Sequence, residues 1–210
     1  MSKPPKHWDG PPLEAWEAWT PPKVAQLLAN IDAPWCVVGG WAIDLYLGRE
    51  TREHEDIEIA VPRGFFPALR RRLEGSFALH AVGDGEVRRL APATAYPADR
   101  HQCWLLDEAA NKWRLDIMQE PGDAELWVCR RDERLSQPRA RIQALSTDGI
   151  PYLAPEAVLL FKAKYKRPKD EADFANCLPV LSADARHWLA EGLALVHPGH
   201  AWIEALRDAS

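Results

Sequence analysis

A chain of 210 residues, 47% of them hydrophobic, has enough material for a buried core and is not a disordered polymer. Its 31 acidic and 26 basic residues leave a net charge of −5, which speaks against a general nucleic-acid binder, because neutralising phosphates takes a basic footprint. No apolar run has the length of a membrane span and the start from Met1 to Lys6 lacks the apolar centre of a secretory signal, so a cytoplasmic protein with no membrane partner is expected.

The segment from Met1 to Pro22 is rich in proline apart from a short apolar stretch around Trp16 and Trp19, and reads as an arm lying over the surface of the domain. Pro22 to Asn30 predicts a short helix, with Val24, Leu27 and Leu28 at helical spacing. Pro34 to Val38 is a compact apolar run stopped by Gly39-Gly40: a buried strand, a glycine turn, then a helix over Trp41 to Leu47. Glu55 to Val61 alternates acid and aliphatic, which predicts a strand with one face in the core and the other carrying carboxylates. Gly64 to Leu73 predicts a basic amphipathic helix. Strands are expected over Phe77 to Val82, His101 to Asp107 and Lys112 to Gln119, the last two joined by a hairpin turn at Asn111. Glu125 to Arg130 and Arg141 to Ala144 read as short strands, with a turn at Asp148-Gly149. From Ala154 onward the pattern is helical: Pro155 to Tyr165, Asp170 to Cys177, Ala183 to Leu195 and Ala201 to Arg207.

Chemistry concentrates between Gly39 and Glu58. A glycine turn at a helix start exposes backbone N–H groups, and the helix dipole adds a field that favours phosphate. Asp56 and Glu58, two apart on the expected strand, would leave one face about 6–7 Å apart at the backbone. Two hard anionic side chains on a rigid strand suit magnesium. Ten tryptophans are explained by packing or by stacking surfaces for a base or sugar rings. Four scattered cysteines, Cys36, Cys103, Cys129 and Cys177, without CxxC spacing predict reduced thiols. His197 and His200 lack companion ligands and read as surface loop residues, while Arg70-Arg71-Arg72 and Arg130-Arg131 read as solvated faces.

The run Gly39-Gly40-Trp41-Ala42-Ile43-Asp44, followed by Gly48-Arg49, Thr51-Arg52, His54 and Asp56-Ile57-Glu58, resembles the signature of the polymerase-β-type nucleotidyltransferases. Within them it is most similar to the aminoglycoside 2″-adenylyltransferase-like proteins, with lincosamide nucleotidyltransferases nearby. The second acid is Glu58 where that subgroup usually has Asp; other members of the superfamily carry Asp-x-Glu.

The resemblance implies a role for each candidate. Asp56, Glu58 and a third carboxylate, Asp116, would hold magnesium in a two-metal site, with Asp116 acting as a metal ligand or as general base on an acceptor hydroxyl. Gly39, Gly40 and Trp41 would line the nucleotide turn. Lys162, and after it Lys169, would reach the phosphates, with Arg52 and His54 as further contacts. The implied fold is α+β: an arm (1–22), a mixed nucleotidyltransferase sheet with flanking helices (23–150) and a C-terminal helical lobe (151–210). The implied reaction moves AMP from ATP to a hydroxyl of a small, cationic, aminoglycoside-like acceptor, in a monomer or homodimer. Two other readings stand beside it, a protein-modifying nucleotidyltransferase of toxin–antitoxin type and an inactive nucleotide-binding module.

Overall fold

Alternating and apolar runs up to residue 153 become strands, and nearly all of them join one sheet. A computed structural model describes residues 7–208. In chain order the elements are β1 (His7–Trp8), α1 (Pro21–Leu27), β2 (Cys36–Val38), α2 (Gly39–Leu47), β3 (Glu58–Pro62), α3 (Phe66–Leu73), β4 (Ala78–Gly83), β5 (Glu86–Arg89), β6 (Gln102–Asp107) and β7 (Lys112–Glu120). There follow β8 (Leu126–Val128), β9 (Ser136–Pro138), α4 (Arg139–Ile142), β10 (Gln143–Leu145), β11 (Pro151–Leu153), α5 (Pro155–Lys162), α6 (Pro168–Cys177), α7 (Ala183–Val196) and α8 (Trp202–Asp208). The sheet has nine strands in the order β1-β5-β4-β6-β7-β3-β2-β11-β10; β8 and β9 form a separate pair. It is mixed: β3 runs parallel to β7 but antiparallel to β2, and β6 and β7 form the expected antiparallel hairpin around Asn111. With helices packed on this sheet, the fold is α+β.

Side-chain alternation divides the sheet into two faces. Ile59, Val61, Leu79, Leu105, Leu115 and Ile117 enter the main core with Val24 and Leu28 from the α1 region and Phe66, Leu69 and Leu73 of α3. The residues between them, Glu58, Trp104 and Asp116, stand in register on the other face. That face is where the polar chemistry collects.

Strand pairing adds to the expected elements and trims others. Residues 151–153 form a strand not expected from the sequence, paired with β2 and β10, and the helices begin at Pro155 as expected. The 125–130 and 141–144 runs shorten to β8 and β10, with the turn of α4 between Pro138 and Gln143. In the C-terminal part α5 packs against α2, α6 and α7, and Phe174 stacks on Trp202 at 4.2 Å.

Of the N-terminal arm, residues 1–6 lie outside the described residues. The rest crosses the sheet face near its β1 edge, where His7–Trp8 adds a parallel strand to β5. Trp8 and Trp16 pack edge-on against Trp104, with centroids 5.9 and 5.4 Å away, and around Trp113. A register shift between Leu105 and Leu106 turns Trp113 into this cluster, where it is fully buried and donates to the Pro11 carbonyl. Packing therefore accounts for Trp113, which is not available to stack on a ligand.

Several polar residues also differ from expectation. Arg70 is buried and donates to the carbonyls of Ala91 and Thr94, fastening a loop rather than facing solvent. His200 is buried too, tied to the Ala163 carbonyl and accepting from the Trp202 N–H, so it closes the end of α5 onto α8. All four cysteines are buried free thiols. Among the described residues no helix is long and apolar enough to cross a membrane.

Candidate active site

The site starts at the turn from β2 into α2. Gly39 has φ +67°, a left-handed conformation that favours glycine. A Cβ there would sit 1.9 Å from the Glu58 Oε2, and one at Gly40 would sit 2.1 Å from the Arg52 Nη2. Gly39 is thus favoured by its backbone conformation, while a side chain at Gly40 would displace the Arg52 guanidinium and crowd the His54 ring at this helix start.

Glu58 opens β3, opposite Val38 and beside Asp116 of β7. Regular pairing begins only there. Asp56 lies just ahead of the strand, exposed, so the expected placement of Asp56 and Glu58 on one strand face does not hold. The Ile57 carbonyl still accepts the Asp116 N–H at 2.9 Å, which locks the approach to the strand against β7. Burial, and then the charge of Asp56, push the Glu58 carboxyl above its ordinary range. Burial and then the charge of Glu58 push Asp116 well up, with Gln102 and then the Trp104 indole partly opposing them. Asp116 Oδ2 accepts from Gln102 Nε2 at 2.6 Å, while Oδ1 is buried without a partner.

A cleft of about 500 Å³ runs from these carboxylates toward the helices. Gly39, Glu58 and Gln102 line its sheet side; Arg130, Arg131, Lys162, Lys164, Tyr165 and Arg167 line the other. Arg131 donates to the carbonyls of Leu160 and Phe161, and Arg130, exposed as expected, meets His101 at 2.8 Å, so this arginine pair lines the cleft, Arg131 from a half-buried position.

Lys162 is buried at the end of α5, with Nζ 2.8 Å from Asp173 and 3.4 Å from Asp170. Asp173 also receives Arg52 at 3.3 Å. Asp170 takes Arg167 at 2.8 Å; burial pushes this carboxyl up, but Arg167 and Lys162 hold it below its ordinary value. On α2, Asp44 takes His54 and Thr51, each at 2.6 Å, and Trp41 stacks on His54 at 4.2 Å. Lys169 faces Glu55 at 3.7 Å. Of the candidate residues, then, Gly39, Glu58 and Lys162 line the cleft, with Asp116 beside Glu58. Gly40, Trp41, Arg52 and His54 form the packed layer behind the turn. Asp44, Thr51, Asp173 and Gln102 carry the network without having been candidates; Asp44 and Thr51 stood within the signature itself, and Asp173 reads from sequence only as a surface charge.

The donor set fits magnesium in its chemistry: three hard carboxylates, one holding a buried oxygen with no other partner. Among the described residues, no three His, Cys, Asp or Glu are already gathered around a common point. A second cavity, about 300 Å³ between α4, α5 and α7, is lined by Arg141, Glu156, Ser182, Asp184 and Trp188 and lies apart from these acids.

The architecture matches solved nucleotidyltransferases. The solution structure of the antibiotic-resistance factor ANT(2″)-Ia superposes with a TM-score of 0.53 at 15% identity, covering 90% of this chain and 95% of that one. ANT(2″)-Ia in complex with adenylyl-2″-tobramycin gives 0.54 at 16% identity, over 82% and 94%. The lincomycin-bound lincosamide antibiotic adenylyltransferase LnuA gives 0.51 at 22%, over 73% and 91%. These likenesses define the class by fold: a nucleotidyltransferase sheet with its helical partner.

Residues 22–177 match the aminoglycoside-2″-adenylyltransferase family, and the chain belongs to it. A 2″-aminoglycoside nucleotidyltransferase of Klebsiella pneumoniae is 43% identical over 92 residues, 41% of this chain and 50% of the relative. One of Escherichia coli is 34% identical over a stretch of the same length and coverage. The chain spans about half the length of the curated relatives it matches.

Proposed function

We propose that the protein transfers AMP from ATP to a hydroxyl of a small, cationic, polyhydroxylated antibiotic of the aminoglycoside kind. The observation that carries this reading is the juxtaposition of Glu58 and Asp116 on neighbouring strands, at one end of a cleft whose opposite wall is cationic. Family membership supports the same reaction class.

In this reading Asp56, Glu58 and Asp116 would hold magnesium, which when bound would supply positive charge against the phosphates of the reacting nucleotide. Asp116 serves as ligand or takes the proton of the acceptor hydroxyl, a role suited to a carboxyl raised by burial. The Gly39-Gly40 turn brings backbone N–H groups and the start of α2 to the triphosphate, and Lys162 supplies a fixed cation. Arg52, His54 and Trp41 hold the turn in shape through Asp44 and Asp173, and Lys169 guards the rim beside Glu55. Exposed Glu53, Glu55 and Asp56 give that rim a negative field that attracts a cationic acceptor. The sheet part (23–150) positions the metal and the helical part (151–210) closes the phosphate side; the protein works in the cytoplasm.

The test is mass spectrometry of products formed from ATP, magnesium and a panel of aminoglycosides, lincosamides and uncharged polyols. The expected product is an AMP-modified aminoglycoside with release of pyrophosphate. Label appearing only on protein, or no adduct with any acceptor, would overturn the reading.

A further inference from the structure

Asp116 can do the work proposed for it only if its carboxylate is held in one orientation. We propose that Gln102 is the positioning residue that sets this orientation, leaving Oδ1 as the working oxygen; the proposal rests on the reading of Asp116 given above. Gln102 and Trp104 stand on the same sheet face as Asp116, and Trp104 is the direct register partner. Gln102, one pleat along, reaches back diagonally and donates from Nε2 to Oδ2 at 2.6 Å. The other carboxylate oxygen is buried and has no protein partner.

The backbone that carries this side chain is itself fixed from behind. The Tyr96 hydroxyl donates to the Gln102 backbone carbonyl at 2.5 Å, and the Tyr96 ring packs on Phe66 at 4.9 Å. The loop carrying Tyr96 is fastened at both ends by arginines from across the β3–α3 connection. Arg63 donates to the carbonyls of Ala98 and Arg100, and Arg70 to those of Ala91 and Thr94. Two cations therefore act on no carboxylate of the site; they hold a loop whose tyrosine pins the residue that orients the buried acid. The choice of an amide is also chemically specific. A carboxylate at 102 would add a like charge beside Glu58 and Asp116, and an apolar residue would leave Oδ2 with no donor and Asp116 free to rotate.

The decisive experiment compares Gln102→Met, a side chain of similar length without a donor, with the wild type, alone and in an Asp116→Asn background. Loss of one charge-assisted hydrogen bond predicts a fall in kcat of about ten- to hundredfold. The KM for ATP should stay within about twofold, because this residue faces the acid and not the phosphates. In the Asp116→Asn background the same substitution should cost almost nothing further, since the two residues act as one unit. An additive loss, or a rise in KM for ATP matching the fall in kcat, would overturn the proposal by assigning Gln102 a general packing role. A second readout needs no turnover: the Gln102 side-chain amide proton, located in an NMR spectrum by its disappearance in Gln102→Met, should shift in Asp116→Ala. An unmoved amide resonance would also overturn it. If the wild type modified no acceptor at all, the proposed function would fall while the amide measurement still decided whether Gln102 holds Asp116.

Discussion

The two ends of the cleft are built on opposite principles. At the sheet end, half-buried Glu58 and buried Asp116 stand side by side without a cationic partner in contact; the charge of Glu58 raises the proton affinity of Asp116, and that of Asp56 raises the proton affinity of Glu58. At the helical end every buried charge is matched, Lys162 by Asp170 and Asp173, and Arg52 by Asp173. An unmatched cluster of acids in low dielectric costs stability and invites a cation. A matched network is rigid and brings its lysine to the cleft with the ammonium already ordered. The difference teaches that reactivity and rigidity are placed at separate ends, and each end can be broken alone.

The largest expected effect is on turnover at the unmatched end. Asp56→Asn should lower magnesium-dependent activity roughly a thousandfold, because a metal's charge is worth several kcal/mol in such a transition state. The melting temperature should hardly change, since Asp56 is exposed. Full activity in this variant, or activity that ignores divalent ions, would remove the metal from the site.

The matched end should respond in the opposite currency. Lys162→Ala leaves two buried carboxylates without their lysine, a loss of about 3–5 kcal/mol by the usual cost of breaking such a pair. For a chain this long that lowers the melting temperature by roughly 6–20 °C. A melt that stayed put would show that the network is not structural, leaving only a rise in the KM for ATP to be sought.

Asp116→Asn sharpens the contrast by its sign. A carboxyl whose folded pKa is raised above its unfolded value destabilises the fold as pH climbs through the unfolded value toward the folded one, and the penalty is complete above it. The wild type should therefore lose stability with rising pH across that window, and Asp116→Asn should flatten the curve and melt higher at neutral pH while losing activity. Thermal melts at a series of pH values decide this; parallel curves would mean that Asp116 bears no penalty. The smallest effect concerns the rim. Calorimetry should show aminoglycoside binding in the presence of ATP and magnesium that weakens as salt rises, because exposed charges are screened. Salt-independent heat would move the acceptor away from Glu53, Glu55 and Asp56.

Legibility in the sequence followed the range of the interactions. Local patterns were readable: the alternation around Ile57 and Ile59, the turn at Asn111 with φ 53°, the glycine pair and the amphipathic α3 all express contacts between near neighbours. The outward face of Asp116 was readable from its neighbours Leu115 and Ile117 on a strand, whereas its candidacy as a third acid came only from the family resemblance. What was hidden depended on distant pairing. The start of β3 at Glu58 is set by partners on β2 and β7, so alternation alone extended the strand too far. Arg52 meets Asp173 across 121 positions, and Trp113 changes cluster because of a register shift in a hairpin that looks regular in its sequence. Asp44 was visible in the motif, but its task of seating His54 and Thr51 appears only when the chain returns after α2.

The four buried thiols have a practical consequence. Thiol reagents attack the thiolate, and burial pushes the Cys177 thiol up to about 12 and those of Cys36 and Cys103 higher still. Cys36 sits in the sheet strand that leads into the glycine turn, Cys103 under the β6 strand beside Gln102, and Cys177 at the end of the helix that carries Asp170 and Asp173. Each region of the molecule thus holds its own silent clock. Labelling at these positions counts only the moments when that region opens, so mass-resolved alkylation can time the breathing of the two ends separately, without any probe being added to the protein.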